Sequence, residues 1–234
     1  MDNPAAVDPA VLDAQAAHWA RTFAAHADMF GREASEPARA ALERCRSQGV
    51  GELLELGAGQ GRDTLFFAAG GLQVTALDYA ESALAEIGTA AEAAGLGDRV
   101  HPVAGDARRP LPFPDESFDA AYAHMLFCMA LTTPELERLA GEVRRVLRPG
   151  GLLVYTVRTH DDPHYGAGID RGDDMWEMGG FIVHYFDRAL AERLAAGFEL
   201  LELAEFEEGP LPRRLFRVTQ RKPAGAGSGR PGGT

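Results

Sequence analysis

Apolar and polar positions change their period along this chain, and each change marks a part of it. Up to about Ser47 the apolar residues recur at helical spacing, first in "VLDAQAAHWARTFAAHADMFG" and then in "SEPARAALERCRSQG". In the second stretch Ser35 is placed to cap the helix. Pro37 falls in the first turn, where its missing N–H costs nothing, and Gly49 ends the helix. From Val50 the pattern becomes short apolar runs that meet glycine or turn residues. "VGELLEL", "LQVTALD", "RVHPVAGD", "SFDAAYAHM" and "GLLVYTVR" each predict a buried strand. Helical patterns separate several of them: "GRDTLFFAAGG", "AESALAEIGTAAEAAG" and "PELERLAGEVRRVL". Strands alternating with helices predict an α/β fold, with a parallel sheet covered on both faces. "FDRALAERLAA" predicts a further helix, and "FELLELAEFE" and "RRLFRVTQRK" predict closing strands. Between them, about 159–180 reads as a long polar loop, and "PAGAGSGRPGGT" has the composition of a disordered tail. The expected divisions are a helical segment at 1–48, an α/β domain at 49–222 and a tail at 223–234.

Composition narrows the partners. With 46% hydrophobic and 25% charged residues among 234, the chain has the make-up of a soluble globular protein. No apolar run approaches the roughly 18 residues that span a bilayer, and "MDNPAAVDPA" lacks the basic and apolar regions of a signal peptide. Cys45 and Cys128 sit in unrelated contexts, which argues against a disulfide framework and for a cytoplasmic location. A net charge of −12 repels phosphate backbones, so no nucleic acid and no membrane partner is expected.

Candidate chemistry concentrates in "ELGAGQGRD". Gly57, Gly59 and Gly61 let the backbone turn tightly and approach a ligand. In the dinucleotide fingerprint the third glycine would fall at Arg62, which weakens an NAD-dependent oxidoreductase reading. No phosphate-loop lysine follows, and Glu55 suits a ligand with a cationic end. Asp78 ends the second strand about 20 residues on, where a carboxylate can accept ribose hydroxyls. Asp106, in "GDA", can receive the exocyclic amine of adenine. Adenine, ribose and a positive group without phosphate describe S-adenosylmethionine. Asp78 as a helix cap, Asp106 as a turn residue and His124 as a packed strand-end histidine are the plainer alternatives.

"LELGAGQGRD", "VTALD", "GDARRPLPFPDESFDAAY" and "VLRPGGLL" resemble, in order and spacing, the successive motifs of class I S-adenosylmethionine-dependent methyltransferases. The variant "GxGxGRD", the N-terminal helices and the closing "LPRRLFRVTQRK" are similar to the tellurite-resistance and thiopurine-type branch, which methylates small, soft nucleophiles. The resemblance implies a Rossmann-like, doubly wound, seven-stranded sheet whose last strand is antiparallel. It implies that Glu55, Gly57, Gly59 and Gly61 shape the methionine end of the cofactor site, and that Asp63 reaches the ammonium directly or through water. By the same resemblance Asp78 takes the ribose with Tyr79 beside it, Asp106 and Ala107 hold the adenine, and His124 brackets the methionine part.

The methyl acceptor is expected to be a small molecule, a thiol or other soft nucleophile, with an oxygen or nitrogen acceptor and a non-catalytic cofactor-binding module as alternatives. A monomer or homodimer suffices for either. Trp19, Phe23, Met29 and Phe30 are candidate walls of its pocket, and the segment that carries them is a candidate lid. The loop at about 159–180 adds Tyr165 and Trp176, and follows a strand at the end where α/β ligands bind. His160, His164 and His184 are candidate bases. Pro163 keeps His160 and His164 off one helical face, so no metal is expected. Cys128 reads as a packing thiol.

Overall fold

The structure, a computed structural model, describes residues 8–26, 29–209 and 213–224. Most of the tail expected at 223–234 lies outside those residues. Two helices open the chain, α1 (Pro9–Ala25) and α2 (Glu36–Ser47). The Ser35 hydroxyl caps α2 by accepting the Ala38 N–H at 3.1 Å, as its sequence position predicts. Next come β1 (Glu52–Leu56), α3 (Arg62–Ala69), β2 (Gln73–Asp78), α4 (Glu81–Ala93), β3 (Val100–Ala104), β4 (Phe118–His124), α5 (Thr133–Val146) and β5 (Leu147–Arg158). Three short strands follow, β6 (Ile169–Gly172), β7 (Met175–Met178) and β8 (Phe181–His184), then α6 (Arg188–Arg193), β9 (Glu199–Glu208) and β10 (Arg213–Arg221).

The main sheet has seven strands in the order β3-β2-β1-β4-β5-β10-β9. Only β10 runs against its neighbours, pairing antiparallel with both β5 and β9. This is the doubly wound sheet with an antiparallel final strand that the motif series implies. Successive strand residues point to opposite faces. Leu53, Val74, Ala120, Tyr122 and Val154 pack under α2, α3 and α4, while Leu54, Ala121, Ala123, Leu153 and Tyr155 pack under α5 and α6. Burial on both faces is why these strands read as unbroken apolar runs. The chain order reverses between β1 and β4, and that crevice is where ligands of open α/β sheets sit.

The segment read as a polar loop is instead a second, three-stranded antiparallel sheet, β6-β7-β8. Two tight turns build it. Asp173 and Asp174 both have φ of 54° between the paired Gly172 and Met175, and Gly179 and Gly180 have φ of 61° and 85° between the paired Met178 and Phe181. Two consecutive left-handed residues match the twist of a hairpin. Strands of four residues show too little alternation to reveal themselves in the sequence.

The N-terminal segment is tied to the sheet through Asp63. Its buried carboxylate accepts the Ser35 N–H at 2.8 Å, the Ser35 hydroxyl at 2.7 Å and the Tyr122 hydroxyl at 3.1 Å. Ser35 thus caps α2 and anchors it to α3 and β4 at once. Ser35→Ala should lower the unfolding free energy by about 1–2 kcal/mol in urea denaturation. An unchanged midpoint would show that this anchor carries no stability.

Candidate active site

One cavity of about 610 Å³ opens at the C-terminal ends of β1, β2, β4 and β5. Every residue expected at the cofactor lines it: Glu55, Gly57, Gly59, Gly61, Asp63, Asp78, Tyr79, Asp106, Ala107 and His124. The glycine turn between β1 and α3 is set by packing as well as by any ligand. Gly61 has φ of 82°, and a Cβ there would stand 2.5 Å from Ile87 Cγ1. Gly57 has φ of 72°, and its Cβ would press on Leu126 at 3.0 Å.

Four carboxyls, those of Glu55, Asp63, Asp78 and Asp106, crowd the polar end. Glu55 is fully buried and accepts the Thr64 hydroxyl at 2.5 Å. Burial first, then the charge of Asp63, pushes its pKa well above the usual carboxylate range. Asp78 accepts the Gly59 N–H and the Ala80 N–H, each at 2.9 Å, so it fixes both the glycine turn and the entry to α4. Asp78 is not the helix cap: Ala80 is the N-cap of α4 and no side chain caps it, so Asp78 holds only the residue that precedes the helix. Burial raises the Asp78 pKa against those hydrogen bonds. Asp106 is held by Arg108, whose Nε reaches both carboxylate oxygens at 3.1 Å and whose Nη2 reaches one at 2.8 Å. Burial opposes ionisation of Asp106, but Arg108 outweighs it and lowers the pKa.

The other end of the cavity is apolar. Leu12, Trp19 and Phe23 of α1 face Met125, Leu126 and Met129 after β4, and Trp176, Phe181 and Val183 of the second sheet. Met29 and Phe30 stand at the rim, 38% and 39% exposed. All four N-terminal residues expected at the acceptor pocket, and Trp176, therefore line the cavity. Trp19 packs on Phe23 and Phe181 with ring centroids 5.3 and 4.7 Å apart. The Gln15 amide donates to Gly180 O at 2.9 Å and accepts the Ile182 N–H at 3.3 Å, clasping α1 to β8. At the far side Arg108 Nη1 reaches Asp13 at 2.8 Å. The rim segment rests on the glycine turn, for Gln60 bonds His26 O and the Met29 N–H, and Arg62 donates to Phe30 O at 2.8 Å. Arg62, which displaces the third dinucleotide glycine, braces the N-terminal segment.

The three histidines expected as bases, and Tyr165, are not among the cavity's lining residues. His160 stacks on Tyr165 at 4.2 Å, with Nε2 3.7 Å from Asp174, too far for a hydrogen bond. His164 Nδ1 lies 2.7 Å from Arg158 Nη2, whose N–H donates to it. His184 is 1% exposed, gives its Nδ1 proton to Leu131 O at 2.7 Å and has its pKa pulled down by burial. Each of these histidines is thus held by its neighbours outside the cavity. Cys128 is buried and its thiol is pushed up to about 11 by burial, so it stays protonated.

Residues that no short motif flagged complete the cavity lining: Arg158 closing β5, Tyr185 after β8, Glu208 closing β9 and Arg213 opening β10. His124 Nε2 lies 3.3 Å from Glu208, and His124 Nδ1 lies 2.8 Å from the Thr156 hydroxyl, which also accepts the Met125 N–H at 3.0 Å. Burial raises the Glu208 carboxyl, but His124 outweighs it and holds it below its usual value. Met125, with φ of 67°, is strained next to this network.

Comparison with known proteins agrees with this geometry. Residues 53–151 match the family described as a methyltransferase domain. A sterol 24-C-methyltransferase, ERG6B of Gibberella zeae, is 35% identical over 176 residues, covering 69% of this chain and 43% of that protein. The chain spans less than half the length of the first curated relatives it matches, 43% and 46%. The 1,6-didemethyltoxoflavin N1-methyltransferase of Burkholderia thailandensis, solved with 1,6-didemethyltoxoflavin and S-adenosylhomocysteine, superposes with a TM-score of 0.74 at 24% identity, covering 95% of this chain and 93% of that one. TehB of Haemophilus influenzae shares the fold with a TM-score of 0.62 at 16% identity, covering 79% of this chain and 62% of that one. Residues 53–151 thus carry a methyltransferase domain, and the fold around it is shared with solved S-adenosylmethionine-dependent methyltransferases. No helix among the described residues is long and apolar enough to cross a membrane.

Glu55 provides a test that needs no ligand. The folded state keeps its proton to higher pH than the unfolded chain does, so Glu55 favours folding in acid. That contribution is lost as pH rises through the shifted value. Glu55→Gln should therefore gain stability relative to the parent as pH rises from acid to neutral, read by thermal melting across pH. Parallel stability curves for the two proteins would refute a raised Glu55 pKa.

Proposed function

We propose that this protein transfers the methyl group of S-adenosylmethionine to a soft nucleophile on a small, largely apolar acceptor. The observation that carries the proposal is the division of one cavity into an acidic half and an apolar half. S-adenosylmethionine supplies the methyl group on a sulfonium, and in-line transfer leaves neutral sulfur. In the acidic half Asp78 receives the ribose hydroxyls, and Asp106 meets the adenine amine with the lone pairs that Arg108 leaves. Glu55 faces the cationic end, whose charge draws it to its ionised form. α1 and the rim segment act as a lid, and the water they exclude favours a reaction in which charge is lost.

At the acceptor end the histidine, the glutamate and the arginine nearest it are already engaged. His124 has partners at both nitrogens, Glu208 holds His124, and Arg158 is paired with Asp162. Such a wall suits a nucleophile that needs no strong base: a thiolate at ambient pH, a soft anion, or an electron-rich carbon. The apolar lining, together with the 35% identity to a sterol 24-C-methyltransferase, favours a hydrophobic acceptor body.

Purified protein should bind S-adenosylmethionine and release S-adenosylhomocysteine with acceptors of this kind. Asp78→Ala should weaken cofactor binding by about 1–3 kcal/mol in calorimetry. Product formed only with alcohols or carboxylates would overturn the choice of nucleophile. Tight cofactor binding without product from any acceptor in a broad panel would leave a cofactor-binding module in place of an enzyme.

A further inference from the structure

Where the apolar half of the cavity meets the second sheet, two buried side chains hold donors that no described residue accepts from. Arg158 is 7% exposed. Its Nε and Nη2 donate to the Asp162 carboxylate at 3.0 and 2.5 Å, and Nη2 also reaches His164 Nδ1 at 2.7 Å. Its third nitrogen, Nη1, meets no acceptor among the described residues. Tyr185 is 2% exposed, and its ring lies 5.2 Å from the Arg158 guanidinium carbon. The Tyr185 hydroxyl makes no hydrogen bond with any described residue. Both residues line the cavity, and neither free group is among the buried polar atoms sealed from solvent. Donors that open on a cavity give their hydrogen bonds to water, and a ligand that displaces that water keeps the bonds only if it brings an oxygen of its own.

Charge decides what kind of oxygen fits. Asp162 already balances Arg158, and is itself fixed by the N–H groups of His164 and Arg214 at 2.9 and 3.1 Å. The pair offers direction without net charge, against apolar neighbours such as Met125 and Val183. A carboxylate, phosphate or sulfate would bring an uncompensated charge into that surface. A neutral carbonyl has two lone pairs and brings none.

We propose that Arg158 Nη1 and the Tyr185 hydroxyl together bind a neutral carbonyl group of the methyl acceptor, which makes the acceptor an apolar molecule carrying a ketone or related group. This rests on reading the apolar half of the cavity as the acceptor site. Tyr185 serves as a donor throughout, for burial lifts its pKa to about 12 against the opposing charge of Arg158.

Simple probes test the proposal without knowledge of the natural acceptor. 2-Tetralone, its hydrocarbon counterpart tetralin, and 2-naphthoate are titrated by calorimetry into the full chain loaded with S-adenosylhomocysteine. The ketone should bind on the order of tenfold tighter than tetralin, and tighter than 2-naphthoate. Tyr185→Phe and Arg158→Lys should each reduce the ketone preference to within about threefold, and Tyr185→Phe should do so with tetralin and S-adenosylhomocysteine affinities unchanged. Absence of a ketone preference in the parent protein, its survival in the variants, or stronger binding of 2-naphthoate would overturn the proposal. Tyr185→Phe removes only a hydroxyl that bonds to no described residue, so it decides the matter if Arg158→Lys fails to fold. Failure of S-adenosylhomocysteine to bind would strike at the methyltransferase reading instead, and the same ratios measured on the free protein would still decide this one.

Discussion

A carboxylate with almost no access to solvent, Asp63, joins the part of the chain that comes before the sheet to the sheet itself. It sits at the first turn of α3, and it receives Ser35 from the start of α2 and Tyr122 from the middle of β4. A buried charge of this kind persists only when its oxygens are fully supplied with donors. Those donors fix where α2 begins and constrain the path of the chain before it, toward the rim segment and α1. The apolar half of the cavity depends on that placement, since Leu12, Trp19 and Phe23 of α1 form one of its walls.

The two halves of the cavity follow different physical rules. The acidic half is built from strand ends and a tight turn, so its groups are positioned by backbone. Asp78 holds Gly59 and Ala80 through their N–H groups, and the glycine turn carries Gln60 and Arg62, which in turn hold the rim segment. A change in the turn therefore reaches the rim within two hydrogen bonds. The apolar half is built from side chains on three separate stretches, α1, the turn after β4, and the second sheet, and it is held by ring packing and the Gln15 clasp. Rigid geometry at the acidic half and adjustable packing at the apolar half suit a site in which one ligand is constant and the other defines specificity.

The loop histidines illustrate how residue type alone can mislead. Histidines close to the end of a strand invite a role in proton transfer. Here their neighbours decide otherwise: an arginine N–H fills His164 Nδ1, a carbonyl takes the His184 proton, and Tyr165 covers His160. Only His184 belongs to the second sheet, which it ties to the turn after β4, and the stretch from that sheet through Tyr185 brings Trp176, Phe181 and Tyr185 to the cavity.

Local rules were enough for much of this protein. The alternation of apolar runs with helical patterns, the capping serine at 35, the glycine turn and the acid residues at the ends of β1 and β2 are each set by neighbours a few positions away, and they were legible in the sequence. The residues that the series of motifs singled out all come to line one cavity. The second sheet was not legible, because four-residue strands between paired left-handed residues show almost no period. Nor were Arg158, Tyr185, Glu208 and Thr156, which meet His124 or one another only after β5, β8 and β9 come together. Their sequence separations exceed any local pattern, so tertiary packing alone decided that Arg158, Tyr185 and Glu208 line the cavity.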